Sequence, residues 1–323
     1  MIAGPDPILA QLKPGAAVVV IRLRSMGDTV LTTPALALLH EARPDLETFV
    51  VVERPWDRLL ESNPDVAGLI PFERHRRWRV LAAVRRLRAP LCLNLHGGST
   101  SAWLTALSGA RWRAGFGHFA FRPVYNVRIP RAQEILGLAT DAPVHTAEHL
   151  ASALFYLGIE PQDIPGARLF AGDPPARPPY AVLHVAASHV TKQWPVARFA
   201  ELARRLRREQ GLEPLLLTGP GEGGLLAGMK EFTTFDNLSL GEMMALLKGA
   251  ELFVGNDSGP AHVAAAFGVP CVVIFSSSNS RVWYPWKTRR QVVESAGGIQ
   301  TVEVEAVRQA VRAVLPARSA LQA

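Results

Sequence analysis

Short apolar blocks separated by glycine, proline and polar turns run through the chain in two successive series. In the first series, residues 17–23 read as a buried strand. A glycine-containing turn follows at Ser25-Met26-Gly27-Asp28, then a helix over 31–42 that tolerates Pro34 only in its first turn. Residues 48–53 and 91–95 read as further strands. The second ends in the turn His96-Gly97-Gly98-Ser99, ahead of a helix carrying Trp103, Leu104 and Leu107. Prolines and glycines then accumulate at Pro161, Pro165, Gly166, Gly172, Pro174, Pro175, Pro178 and Pro179, as in a connector. The alternation restarts with strands at 181–185, 214–218, 251–255 and 271–275 and helices at 195–208, 242–248 and 260–267. An amphipathic helix over 302–314 closes the series, with Val304, Val307, Val311 and Val314 on one side. Strand–helix alternation predicts mainly parallel sheets with helices on both faces. The expected organisation is an N-terminal domain over 1–160, a linker over 161–180 and a C-terminal domain over 181–300. A helix and tail over 301–323 would then be able to pack back toward the first domain. Two such halves would place a cleft between them, and ligands of open α/β sheets bind beyond the carboxyl ends of strands.

Composition narrows the classes. The chain has 323 residues, 48% hydrophobic and 20% charged, which suits a globular protein of two domains of about 150 residues. There is no run of 18 or more uncharged apolar residues, so no membrane span is expected. The first six residues show neither a basic nor an apolar leader segment, which points to a cytoplasmic protein. Cys92 and Cys271 lie in separate apolar runs and read as reduced core residues. The net charge of +7 favours an acidic partner. Much of it is local: Arg74, Arg76, Arg77, Arg79, Arg85, Arg86 and Arg88 face only Glu73. That segment is either a solvated helix face, with Val80, Val84 and Leu87 turned inward, or a guide for an anionic acceptor. No zinc knuckle, RNA-binding aromatic motif or helix-turn-helix accompanies it, which disfavours nucleic acid.

Three clusters carry chemistry. In Val254-Gly255-Asn256-Asp257-Ser258-Gly259-Pro260-Ala261-His262 a strand enters a polar turn and then a small-residue helix. Free amides at such a helix start bind anions, and Gly259 admits a phosphate to the backbone. In His184-Val185-Ala186-Ala187-Ser188-His189-Val190-Thr191-Lys192-Gln193-Trp194-Pro195 a second strand end leads to Lys192, a point charge suited to a diphosphate leaving group. Gly219, Gly221 and Gly224 fit the spacing G-x-G-x-x-G only weakly: Pro220 interrupts them, the strand lies deep in the second half, and no clear second-strand acid follows about 20 residues on. Glu222 within that loop reads as an acceptor for ribose hydroxyls, beside the plain alternative of a glycine-rich loop. In the first half, Asp28 lies just beyond the first strand, where a carboxylate either caps the next helix or takes a proton from an attacking hydroxyl.

Together and in this order, Ser25-Met26-Gly27-Asp28, Lys192-Gln193-Trp194-Pro195 and Asp257-Ser258-Gly259-Pro260-Ala261-His262 resemble glycosyltransferase family 9, the ADP-heptose:lipopolysaccharide heptosyltransferases. The resemblance implies the GT-B fold, two Rossmann-like domains with parallel sheets facing across a cleft. It implies Asp28 as general base, and Lys192, Ser188, Ser258 and Gly259 at the nucleotide phosphates. Glu222 would lie at the ribose, Asp257 and His262 at the donor sugar, and Ser25, Met26, Gly27, His96 and Gly97 on the acceptor side. The expected donor is a nucleotide-sugar, ADP-heptose by likeness, with no cofactor and no metal. The expected acceptor is an anionic glycan or glycolipid, which would allow peripheral association with the inner membrane face. The chain departs from the family pattern at Ser258, where threonine is common, and at Ala186-Ala187-Ser188, which lacks the usual glycine and threonines. No Asp-x-Asp pair is placed for a divalent ion, so protein cations would take its part in an inverting displacement. Rival readings are a UDP- or GDP-sugar transferase, a nicotinamide-dependent oxidoreductase using the Gly219–Gly224 loop, and a sugar-nucleotide binder without turnover.

Overall fold

A computed structural model describes residues 7–315; the expectations for the leader segment and for the tail beyond 315 lie outside the described residues. The chain divides into two units between Phe170 and Ala171, inside the expected connector. No helix or strand is assigned between Leu157 and Tyr180. Ile164, Ala167 and Leu169 are nonetheless buried, and Arg168 forms an ion pair with the buried Asp65, which ties this half of the connector to the first unit.

The first unit carries strands β1 (Ala17–Ile21), β2 (Glu47–Glu53), β3 (Gly68–Phe72), β4 (Leu91–Asn94), β5 (Trp112–Phe116) and β6 (Val127–Ile129). Its helices are α1 (Met26–Val30), α2 (Thr33–Ala42), α3 (Arg77–Arg86), α4 (Ser99–Leu107), α5 (Ala132–Leu136) and α6 (Thr146–Leu157). The second unit carries β7 (Tyr180–His184), β8 (Glu213–Leu217), β9 (Thr233–Phe235), β10 (Leu252–Asn256), β11 (Cys271–Ile274) and β12 (Arg290–Val293). Its helices are α7 (Val196–Gln210), α8 (Leu240–Lys248), α9 (Gly259–Ala266), α10 (Ser280–Trp283) and α11 (Val304–Val314).

Each unit holds one sheet of six strands, in the orders β3-β2-β1-β4-β5-β6 and β12-β11-β10-β7-β8-β9. Numbered from its own first strand, each is the doubly wound 3-2-1-4-5-6 arrangement, parallel throughout. The central strands β1, β4, β7 and β10 are buried at every position, as strands covered on both faces must be.

Two expectations need correction. The segment at Ser25–Asp28 is the start of helix α1 rather than a free turn. Ser25 donates its backbone N–H to the Asp28 carboxylate at 2.8 Å and so caps the helix at the position where the sequence suggested a loop. The C-terminal helix does not keep its apolar side for the first unit. Val304, Val307, Val311 and Val314 are all buried in the core of the second, with Trp194, Phe199 and Ile274. The cysteines are as expected: Cys92 and Cys271 are buried thiols, and burial pushes the Cys92 thiol up to about 12. No described helix is long and apolar enough to cross a membrane.

Candidate functional site

In a doubly wound sheet the loops after strands 1 and 4 leave toward opposite faces, opening a crevice at the carboxyl ends. Asp28, His96, Lys192, Asp257 and Ser258 follow these strands in their units.

In the first unit these loops follow β1 and β4. Asp28 sits in the first turn of α1, its side chain about one-fifth exposed. One carboxylate oxygen pairs with the Arg22 guanidinium; the other accepts from the Ser25 N–H at 2.8 Å and the Ser25 hydroxyl at 3.1 Å. Three of about four acceptor positions are filled, which leaves one for an incoming hydroxyl. Arg22 also donates to the Leu95 carbonyl beyond β4, so a single side chain joins the two loops. Asn94, fully buried at the end of β4, accepts from the N–H groups of His96 at 2.9 Å and Gly97 at 3.0 Å. Gly97 has a φ of +77°, and a Cβ there would come within 2.6 Å of Phe119. Burial, with Arg22 and Arg24 adding to it and Asp28 opposing it, lowers the His96 pKa to about 4 and keeps the ring neutral at pH 7. Met26 is half-buried and Gly27 buried in the first turn of α1.

Three residues at this end escaped the sequence reading. Arg22, which pairs with Asp28 and reaches the Leu95 carbonyl, stands outside the motifs singled out in the sequence. His149, on the first turn of α6, stacks on Phe116 with ring centroids 4.0 Å apart, and His118 lies 5.6 Å from it. Burial, reinforced by His118 and Arg22, lowers the His149 pKa to about 4. An even spacing or a paired motif would have signalled these rings; they lie 31 positions apart with neither.

In the second unit the corresponding loops follow β7 and β10. Lys192 closes a 3-10 turn, Val190–Lys192, and donates to Asp257 at 3.3 Å and to the Ser278 hydroxyl at 2.7 Å. Ser278 in turn donates to Asp257, which makes a three-membered group. Ser278, from the loop after β11, is a further residue the sequence did not offer. Ser258 is the N-cap of α9 but uses its hydroxyl elsewhere, 3.2 Å from His184 Nδ1 and 3.0 Å from the Asn256 carbonyl. One hydroxyl has one hydrogen, so either it donates to the imidazole, or it donates to the carbonyl and accepts from Nδ1–H. Among the described residues, neither the Ser258 nor the Gly259 N–H is donated to another group of the chain. The ready anion donors are therefore amides. His184 is buried, and that burial lowers its pKa to about 4.

Asn256, fully buried, accepts from the Trp194 N–H at 2.9 Å and donates to the Val185 and Ala186 carbonyls at 3.1 Å each. Trp194 is itself buried and donates its indole N–H to the Val302 carbonyl at 2.8 Å. Together they set the height of the Lys192 loop above the sheet. His262 is buried in α9, its ring 6.5 Å from that of Trp283.

Among the described residues, neither Glu222 nor Ser188 makes a hydrogen bond to this group. The Glu222 carboxylate accepts the Gly219 N–H at 2.8 Å and closes its own loop. Gly221 takes a φ of +83°, and a Cβ at Gly223 would lie 2.4 Å from Asp236, so the glycines serve the turn and close packing. Ser188 is exposed, and its hydroxyl makes no hydrogen bond among the described residues. Those residues also contain no group of three or more His, Cys, Asp or Glu side chains arranged for a metal.

Two Rossmann-like units of this topology, each with a polar constellation at its switch point, make the GT-B fold. The model of glycosyltransferase family 9 (heptosyltransferase) matches residues 77–309, and the chain belongs to that family. It is 30% identical over 284 residues to lipopolysaccharide heptosyltransferase 1 of Pseudomonas aeruginosa, covering 81% of this chain and 79% of that one. It is 25% identical to lipopolysaccharide heptosyltransferase 3 of Escherichia coli over 82% of this chain and 83% of the relative. A family 9 glycosyl transferase from Veillonella parvula shares the fold with a TM-score of 0.82 at 22% identity, covering 94% of this chain and 98% of its own. The E. coli heptosyltransferase WaaC, solved with ADP, superposes with a TM-score of 0.74 at 21% identity over 93% of this chain and all of its own.

Proposed function

We propose that this glycosyltransferase is an inverting, metal-independent enzyme that moves a heptose from an ADP-sugar to an acceptor of the lipopolysaccharide-core type. One observation carries the reading: Lys192, in contact with Asp257 and Ser278, lies on the same sheet end as the undonated amides of Ser258 and Gly259. That set offers a diphosphate both a cation and backbone donors. The family relationship and the ADP in the WaaC structure support adenine as the base.

In this reading Lys192 exchanges Asp257 for the donor diphosphate, and Asp257 and His262 turn to the sugar. Glu222 binds ribose hydroxyls and Ser188 supplies a further hydroxyl at the phosphates. Ser25, Met26, Gly27, His96 and Gly97 line the acceptor. The acceptor oxygen attacks the anomeric carbon as the bond to the diphosphate oxygen breaks, with inversion. The hydroxyl proton passes to the remaining lone pair of Asp28, and ADP departs with its charge held by Lys192 and the start of α9. The anionic acceptor would be membrane-borne, with the enzyme working peripherally from the cytoplasmic side.

Thermal unfolding in the presence of ADP, UDP, GDP, NAD or NADP tests the donor. A ligand at 100 times its Kd adds about 2.7 kcal/mol. Stabilisation by ADP alone is expected, and a response to NAD instead would replace the transferase chemistry with a redox one. Asp28→Asn should keep the ADP response and lose transfer from ADP-heptose by about 10²–10⁴-fold. Transfer at the wild-type rate would remove Asp28 from the role.

A further inference from the structure

Helix α3 turns Val80, Leu81 and Val84 into the core of the first unit and leaves Trp78, Arg79, Ala82, Arg85 and Arg86 on its outer face. Trp78 is 61% exposed, the most exposed aromatic residue among the large hydrophobics at the surface. It is not loosely placed. Its ring meets Trp103 edge-on at 5.0 Å, and the Arg77 guanidinium lies 5.8 Å from the Trp78 ring and 5.9 Å from that of Trp103. The one acid of the segment, Glu73, is already occupied by Arg76 at 3.2 Å, His75 at 3.3 Å and Arg54 at 3.4 Å. Among the described residues, Arg74, Arg77, Arg79, Arg85, Arg86 and Arg88 form no ion pair.

A solvated helix face mixes both signs of charge and carries small or polar residues between them. With its apolar side packed into the core, this one presents outward a single sign of charge around a held indole, clustered arginines for anionic headgroups and an aromatic of the kind that sits at the interface. We infer that the outer face of α3 is a docking surface for an anionic lipid bilayer, with its arginines on lipid phosphates and Trp78 at the boundary of headgroups and acyl chains. Nucleic acid fits less well, because one indole gives no series of stacking platforms for successive bases. The inference deepens the proposed function, since it rests on a membrane-borne acceptor for its purpose. None of its residues belongs to the donor or acceptor group described above.

Sedimentation of the full chain with vesicles tests it. Binding is expected to phosphatidylcholine vesicles carrying one-third phosphatidylglycerol, not to pure phosphatidylcholine, and should weaken as salt is raised. A basic residue near an anionic surface contributes about fivefold in partitioning, so Arg79→Gln with Arg86→Gln should weaken binding about thirtyfold. Trp78→Ser should weaken it at high salt as well as low. Equal binding of wild type and the double variant, equal binding to neutral vesicles, or capture by an RNA oligonucleotide with no vesicle binding would each overturn the assignment. The ADP response is measured on the same proteins and should be unchanged. If it is absent already in the wild type, the proposed donor fails while vesicle binding still decides the surface. Should Trp78→Ser unfold, the arginine variant, altered only at exposed positions, carries the test.

Discussion

His184 should make the second unit lose stability in acid by a calculable amount. In the unfolded chain its imidazole takes up a proton near pH 6.5; in the folded chain burial holds this off until about pH 4. Between those values the unfolded state binds more protons than the folded state, so stability is complete above pH 6.5 and falls as pH drops toward 4. With these two values the loss from this one residue is about 1–2 kcal/mol at pH 5.5 and about 2–3 kcal/mol at pH 4.5. The residue is only 6% exposed, so solvent screening takes little from the figure. His184→Asn removes the titration and leaves a side-chain nitrogen or oxygen near the Nδ1 position that meets Ser258. Urea unfolding of both proteins from pH 7.5 to 4.5 isolates the effect, since His96 and His149, also lowered to about 4, are common to both. The wild type should lose about 2–3 kcal/mol more than the variant over this range. Parallel curves would refute the reasoning, because they would mean that His184 accepts its proton in the folded protein as readily as in the unfolded one.

Other perturbations probe the same frame. Gly97→Ala places a Cβ 2.6 Å from Phe119 at a φ of +77°, and should cost about 1–3 kcal/mol in urea unfolding. Gly109→Ala, at a φ of +82° with nothing within 4 Å, should cost only about 1 kcal/mol, and equal losses would contradict the packing argument. Arg22→Met frees Asp28 from one of its three donors and separates the loops after β1 and β4. It should lower kcat for transfer by about 10²-fold with the ADP response unchanged, and an intact kcat would show that Ser25 alone positions the carboxylate. Asn256→Ala strands three buried backbone groups and should destabilise by about 2–5 kcal/mol in urea unfolding, whereas a loss under 1 kcal/mol would mean that water replaces the amide.

The central strands were legible because burial on both faces makes them continuous apolar runs, and β1, β4, β7 and β10 stand where the pattern puts them. The edges were not. β3 contains Pro71 and β12 begins Arg290-Gln291, residues that an edge strand accommodates but that break the pattern by which a strand is read. The helix start at Ser25 was hidden by its brevity: α1 is five residues long and separated from α2 by Leu31 and Thr32. Lys192 and Asp257 could be picked out as strand-end polar residues. Ser278, 86 positions from the lysine it meets, could not, because only the adjacency of β10 and β11 brings it there. Arg22 was obscure for the same reason, since its carbonyl partner at Leu95 is 73 positions away and is set beside it by the pairing of β1 with β4. Local sequence reports what a residue can do; strand order decides whom it meets.

The same order explains why both units solve one problem in similar ways. Where strand order reverses, the loops after the first and fourth strands diverge, and backbone groups just past the ladder lose their strand partners. In each unit the fourth strand ends in a fully buried asparagine, Asn94 or Asn256, whose short amide can satisfy an N–H and a carbonyl or hydroxyl at once. Asn94 folds its own turn, presenting His96 and Gly97, and anchors its amino group on Thr105 and Tyr125 at 3.0 Å each. Asn256 instead reaches sideways to the loop after β7 and fixes the approach to Lys192 through Trp194. The first arrangement supports a carboxylate braced by arginine, the second a lysine beside open amides. The two ends thus differ in charge while sharing a support, and in each the amide that sets the loop geometry lies beneath the polar groups, buried from any ligand they bind.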